Sequence, residues 1–257
     1  MKVEAMIDRE WLERLSRRGW AWEFLRRNPE YRSDFQINRK DSDRAGRWGL
    51  LHFSDPTICA LRADTFWRPE ECPEVLSLLL CRGCSATEVS LSFDGLSCQV
   101  HRAFQPAARR KDILLSQEGR FIQLAIFGDD KVESGRVVMN ALGDPATVMA
   151  RTASLRRLND LLFSKTMRAS LYPSEGRAPR LINVLIALDG WLSQCSQRDI
   201  ALAMFGAERV KREWQDPRQN LRDQVRRAIN YGQGLMKGGY RQFLRLTFAR
   251  RIVARQK

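Results

Sequence analysis

Histidine is nearly absent from this 257-residue chain, which has only His52 and His101. A histidine-based catalytic set or a histidine-rich metal site therefore has few places to form. Missing too are a Gly-Lys-Ser/Thr phosphate loop, a dinucleotide-type glycine fingerprint and a His-Glu-x-x-His pair, so the commonest nucleotide-binding and zinc-hydrolase readings drop out. No apolar run approaches the roughly 20 residues that cross a bilayer. Val75 to Leu80 is short, and Leu181 to Leu192 is interrupted by Asn183, Asp189 and Gly190, so no membrane partner is expected. The opening MKVEAMIDREWLERL mixes acids with bases and lacks the apolar centre of a signal peptide.

Cysteine is thinly spread: Cys59, Cys72, Cys81, Cys84, Cys98 and Cys195 fall short of a secreted disulfide scaffold, and reduced thiols in a cytoplasmic protein are expected. Cys81-Arg-Gly-Cys84 has the spacing of a zinc or redox pair that Cys72 and Cys98 could complete. Without a second closely spaced pair, packed free thiols and no cofactor are the expectation. Asp129 and Asp130 follow Gly128 as a loop pair expected to be solvated rather than to hold a metal.

Acid is scarce in only one part of the chain. Residues 1–150 hold 22 Lys plus Arg against 22 Asp plus Glu, whereas residues 151–257 hold 22 against 8, so the whole net charge of +14 lies in the second part. A positive field concentrated in this way suits a polyanion.

What is present reads as an α+β protein in four stretches. Residues 1–70 are rich in aromatics (Trp11, Trp20, Trp22, Phe24, Tyr31, Trp48, Phe53, Phe66, Trp67) that are expected in a core, with helices over 8–17 and 20–28, the second ending before Pro29. Residues 71–146 form a β-rich region, with strands over 88–93, 96–103, 112–116 and 121–127 and a hairpin at Asp94-Gly95, which together read as a small antiparallel sheet. Residues 147–175 contain a connecting helix from Thr147 to Met167, with Leu155, Leu158, Leu162 and Phe163 on one face, and a linker that runs on through Tyr172 to Pro179.

Residues 176–257 carry the functional reading. After Pro179, Leu181, Val184, Leu185, Leu188, Trp191 and Leu192 recur at helical spacing, which makes a buried scaffold helix. Ser196 is placed to cap a second helix, Gln197 to Phe205, whose Ile200, Ala201, Met204 and Phe205 face inward and whose end is Gly206. Small Ala201 suits the close, steep crossing of a helix-turn-helix unit. A loop with Lys211, Arg212 and Trp214 comes next, and then a third helix over 217–237, capped by Asp216 with Pro217 at its first turn. Arg218, Arg222 and Arg226 step along one face of this helix, flanked by Gln219, Asn220, Asp223 and Arg227. Arginine can meet guanine, and Asn or Gln adenine, through paired hydrogen bonds. The spacing therefore predicts a recognition helix for double-stranded promoter DNA, with Ser196, Gln197, Arg198, Lys211 and Arg212 on the phosphates. An ordinary solvated arginine face is the bland alternative.

The run Leu188-Asp-Gly-Trp-Leu192, Arg198-Asp-Ile-Ala201, Phe205-Gly-Ala207, Arg226 and Leu235-Met-Lys-Gly-Gly-Tyr-Arg241 resembles the variant helix-turn-helix domain of excision activators and antiactivators of proteobacterial integrative and conjugative elements. Trp22-Glu-Phe-Leu-Arg-Arg-Asn-Pro-Glu-Tyr31, Trp48-Gly-Leu50 and Phe66-Trp-Arg-Pro69 resemble the transcriptional-regulator-like domain that precedes it. The resemblance implies a non-enzymatic, nucleoid-associated transcriptional activator of excision and conjugative-transfer genes. A small antiactivator of the same helix-turn-helix family is its implied partner, and the N-terminal parts are expected to contact RNA polymerase or partner proteins. The rival functions are a protein-binding antiactivator and a DNA-processing recombinase or nuclease.

Overall fold

The computed structural model describes residues 9–81, 93–105, 109–127, 136–139, 145–215 and 221–245. It is α+β, with a helical N-terminal region, a small sheet and a helical C-terminal region. The N-terminal region holds α1 (Arg9–Glu13), α2 (Arg17–Leu25), α3 (Pro29–Asn38) and α4 (Ser42–Arg47). Side-chain caps set the starts: Ser16 Oγ accepts from the Gly19 N–H, Asn28 Oδ1 from Glu30 and Tyr31, and Asp41 Oδ1 from Asp43 and Arg44. Pro29 ends one helix and opens the next, because proline is tolerated at a first helical position that donates no intrahelical bond. The ending is legible in the sequence, and the opening is not.

Every residue of α2 from Arg18 to Leu25 is buried. Trp20, Trp22, Phe24, Tyr31, Trp48, Phe53, Phe66 and Trp67 are buried as expected. The Trp22 ring meets Tyr31 edge-on at 5.7 Å and Tyr31 meets Trp48 edge-on at 5.6 Å, the arrangement favoured by aromatic quadrupoles.

Among the described residues the sheet has five strands: β1 (Leu76–Cys81), β2 (Gln99–Gln105), β3 (Arg110–Gln117), β4 (Arg120–Phe127) and β5 (Arg136–Met139), in the order β2-β3-β4-β1-β5. It is mixed, which corrects the expectation of an antiparallel sheet: β1 lies parallel to β4, with Leu76 opposite Leu124, while the other pairs are antiparallel. Leu76 and Leu78 are buried while Leu79 is 47% exposed, and because the exposed position is as apolar as the buried ones, Val75 to Leu80 shows only as an apolar run. The tight β3–β4 hairpin turns at Glu118 and Gly119, both at positive φ. Most of the expected strand over 88–93 lies outside the described residues.

Helix α5 (Pro145–Ser164) covers the sheet through Leu158 and Leu161, which pack with Leu76, Leu78, Leu115 and Leu124. Phe163, expected on the packed face, is 81% exposed, and Leu155 is exposed as well. The helix meets the sheet along a stripe too narrow for all four residues.

The C-terminal region holds α6 (Ala178–Leu192), α7 (Gln197–Phe205), α8 (Ala207–Glu213) and α9 (Leu221–Met236), followed by a 3-10 turn, Gly239–Phe243. One hydrophobic core runs from the N-terminal aromatics into these helices, joining Trp20, Phe24 and Trp48 to Leu185, Val225, Met236 and Tyr240. Phe24 stacks on Phe243 at 5.9 Å, the Tyr240 hydroxyl donates to the Trp48 carbonyl at 2.9 Å, and Asn28 Nδ2 donates to the Met236 carbonyl at 3.1 Å.

A charged cluster ties the same regions together. Arg27, just past the end of α2, grips Asp189 on α6 with two hydrogen bonds, Nε at 2.6 Å and Nη2 at 2.9 Å, and its Nη1 meets Glu23 Oε2 at 2.6 Å. Glu23 also accepts from Arg26 at 2.8 Å and from the Ala60 N–H at 2.8 Å. Burial alone would raise the Glu23 carboxyl; the charges of Arg27 and Arg26 and these hydrogen bonds outweigh it and hold the group below its ordinary value. The acid that interrupts the apolar run of α6 is therefore an anchor.

Candidate nucleic-acid interface

Helices α6, α7 and α9 pack together as the expected three-helix unit. Ser196 caps α7: its Oγ accepts from the Asp199 N–H at 3.1 Å and donates to Asp199 Oδ2 at 2.6 Å. Ile200, Ala201 and Met204 are buried. At the α6–α7 crossing, a Cβ added to Gly190 would fall 2.6 Å from Ile200 Cγ1, so this glycine as well as Ala201 permits the close approach. Trp191, which periodicity puts on the buried face, is 41% exposed.

Two features differ from the expectation. Lys211 and Arg212 sit on α8, not on a loop. Gly206, at φ 83° and ψ 160°, ends α7 and immediately caps α8 instead of releasing the chain. Acidic Glu208 in the first turn and basic Lys211 and Arg212 in the last suit the helix dipole. A seven-residue helix rich in charge has too little apolar periodicity to stand out in the sequence.

Helix α9 is strongly two-faced. Leu221, Val225, Ile229, Gly232, Leu235 and Met236 are buried, and Arg222, Arg226 and Arg227 are exposed. Asp216, Pro217, Arg218, Gln219 and Asn220 lie outside the described residues. The structure restrains the other three arginines. The Arg222 guanidinium lies 5.2 Å from the centre of the Trp214 ring, Arg226 pairs with Asp223 at 2.9 Å, and Arg227 Nε donates to the Asp223 carbonyl at 3.2 Å. Asp223 thus acts on its two arginine neighbours, whichever other role it has.

Elsewhere Ser196, Gln197, Arg198, Lys211 and Arg212 are all exposed. Arg212 is tied to Glu213 at 3.0 Å, and Glu213 also accepts from Arg209 at 2.9 Å. These hydrogen bonds hold the Glu213 carboxyl below its ordinary value, so part of the α8 charge is already matched. The expected contacts lie on the N-terminal half of α9, but polar residues also line its C-terminal half and end. Asn230 and Lys237 are exposed and Gln233 is half-buried. A signal for them exists, since Asn230 continues the four-residue step of Arg222 and Arg226.

Among the described residues no three His, Cys, Asp or Glu gather as a metal site, and no helix is long and apolar enough to cross a membrane. Cys72 is buried, while Cys84, Asp129 and Asp130 lie outside the described residues.

Two family models match parts of the chain. Residues 140–245 match the model of the RovC-type DNA-binding domain, described as "T6SS, Transcription factor, DNA binding domain". The match takes in α5 as well as α6 to α9. Residues 7–53 match the proteobacterial transcriptional regulator-like domain. No curated protein matches the chain. With a transcriptional-regulator-like domain at one end and a transcription-factor DNA-binding domain at the other, the chain has the make-up of a DNA-binding transcription regulator.

Proposed function

We propose that this regulator reads its operator with the solvent face of α9 laid in the major groove. The carrying observation is the two-faced helix itself: Leu221, Val225 and Ile229 hold it to the core while Arg222, Arg226 and Arg227 stand outward on restrained side chains. Restraint before binding lowers the entropy lost on forming each contact. Arg218, Gln219 and Asn220, just ahead of the described helix, complete the reading set together with Asp223. Ser196, Gln197 and Arg198 at the start of α7, and Lys211 and Arg212 on α8, hold the phosphate backbone, which positions the helix without reading sequence.

Under this reading the domains are an aromatic regulator-like region at 1–70, a β-rich region at 71–146, a connecting helix at 147–175 and the DNA-binding module at 176–257. The protein acts in the cytoplasm on the nucleoid, without a catalytic step. Its resemblance to excision activators supports an activator of excision and conjugative-transfer genes that contacts RNA polymerase and is held in check by a small antiactivator. The matched DNA-binding model is described for a type VI secretion transcription factor, which supports secretion genes as the second reading of the target. Mapping bound sites genome-wide, with transcripts measured in the same cells, separates the two: peaks at excision genes support the first and peaks at secretion genes the second.

The interface is tested by gel retardation of a bound fragment. Alanine at Arg222 or Arg226 should cost about 1–3 kcal/mol if either reads a base, and less, with a shallower salt dependence, if it meets phosphate. Unchanged retardation by Arg222→Ala/Arg226→Ala/Arg227→Ala would remove α9 from the interface.

A further inference from the structure

A cavity of about 500 Å³ lies between the start of α2, the first half of α5 and the segment after α5. That volume falls within the roughly 300–1,000 Å³ usual for small-molecule sites. Its apolar walls come from Phe121 on β4, Met149 and Ala153 on α5, and Leu171 and Pro173 beyond it. Its charged lining is one-sided: Arg17, Arg18, Arg156 and Arg157 face a single acid, Glu74.

Part of that charge is engaged. Arg157 Nη1 pairs with Glu74 at 3.4 Å, its Nε donates to the Leu171 carbonyl at 3.0 Å, and its guanidinium lies 4.9 Å from the Tyr172 ring centre. Arg17 Nη2 donates to the Gln242 and Arg245 carbonyls, both at 2.7 Å. Other donors are left over. Arg18 is only 6% exposed, and although its Nη2 meets Gln123 Oε1 at 2.6 Å, its buried Nε has no hydrogen-bond partner among the described residues. The Tyr172 hydroxyl, on another residue of the lining, is likewise buried without a partner among them. Arg156, at the exposed side, has no ion-pair partner among the described residues. An exposed guanidinium at the mouth of an apolar cavity lined by three further arginines favours a ligand that brings negative charge.

We propose that this cavity binds a small organic anion, a carboxylate or sulfonate on an apolar body. Arg156 receives the acid group, in the positive field of Arg17, Arg18 and Arg157, and the body rests against Phe121, Met149 and Ala153. The place suits an effector. Ser16 to Arg18 belong to the stretch matching the regulator-like domain, and Met149 to Pro173 to the stretch matching the DNA-binding domain. Arg17 reaches from the cavity wall to carbonyls beyond the end of α9. This regulatory sense rests on the DNA-binding reading, whereas binding of the anion does not.

The test uses the full chain without DNA and two fluorescent probes that share one ring system: 8-anilinonaphthalene-1-sulfonate and the neutral N-phenyl-1-naphthylamine. The sulfonate should bind saturably, one per chain. Ala153→Trp, which fills the cavity, should abolish binding, and Met149→Trp, at a half-exposed rim position that tolerates bulk, should do the same if the first variant fails to fold. Arg156→Ala should weaken the sulfonate about tenfold or more and leave the neutral probe unchanged. Sulfonate binding that persists in a folded plug variant would overturn the site. An Arg156→Ala loss shared equally by both probes, or by neither, would overturn its anion selectivity. Because no DNA is present, failure of the operator reading leaves these outcomes intact.

Discussion

Removing the Asp189 carboxylate isolates one end of the clamp between α2 and α6. In Asp189→Ala, Arg27 loses both hydrogen bonds that run from Nε and Nη2 and keeps only the carboxylate and carbonyl of Glu23. Breaking a fully buried ion pair by deleting one partner costs about 3–5 kcal/mol, because the other charge is left desolvated. Here the Arg27 side chain is 9% exposed but that of Asp189 is 21% exposed, and Glu23 remains, so about 2–3 kcal/mol is expected. For a chain of this size each kcal/mol lowers Tm by about 2–4 °C, which gives a fall of about 4–12 °C. Thermal unfolding followed by circular dichroism reads the loss, and urea titration converts it to free energy. The companion cycle of Arg27→Met, Asp189→Leu and the double variant measures the coupling itself. A loss under about 0.5 kcal/mol in Asp189→Ala, roughly the spread of surface substitutions, together with an additive cycle, would refute the view that this pair holds the two regions together.

The remaining predictions probe pH, packing and backbone. The folded Glu23 carboxyl is depressed, so its contribution should be fully present above its ordinary value of 4.5 and lost as pH falls through the lower folded value. Urea midpoints of Glu23→Gln should accordingly converge on those of the wild type as the solution is acidified; a gap that stays constant with pH would contradict this. Gly190→Ala places a methyl against Ile200 and should cost about 1–3 kcal/mol, with partial recovery in the Ile200→Val background. Gly206→Ala should cost a similar amount, about 1–3 kcal/mol, because φ 83° with ψ 160° is a glycine-only conformation, and denaturant melts would show it.

Much of the DNA-binding module was legible in order along the chain. The four-residue and three-residue spacing of Leu221, Val225, Ile229 and Gly232 states which face is buried before any fold is known, and Ser196 three residues ahead of Asp199 states where α7 begins. Helix α8 was less visible because it is short and charged, and β1 because its exposed Leu79 is as apolar as its buried Leu76 and Leu78, which hides the alternation. The cavity was invisible for a different reason. Its walls are drawn from Ser16, Glu74, Phe121, Met149 and Tyr172, positions that share no spacing.

By itself, then, the sequence determined the location of the positive charge, the two-faced character of the helix at 221–236 and the cap that starts α7, since each depends on residues close to one another along the chain. The tertiary structure alone decided that Asp189 serves Arg27, that Tyr240 closes on Trp48, and that the aromatic N-terminal region and the DNA-binding helices share one core. The first two contacts join residues 162 and 192 positions apart, and local periodicity fixes which side of an element is apolar but not which distant element covers it.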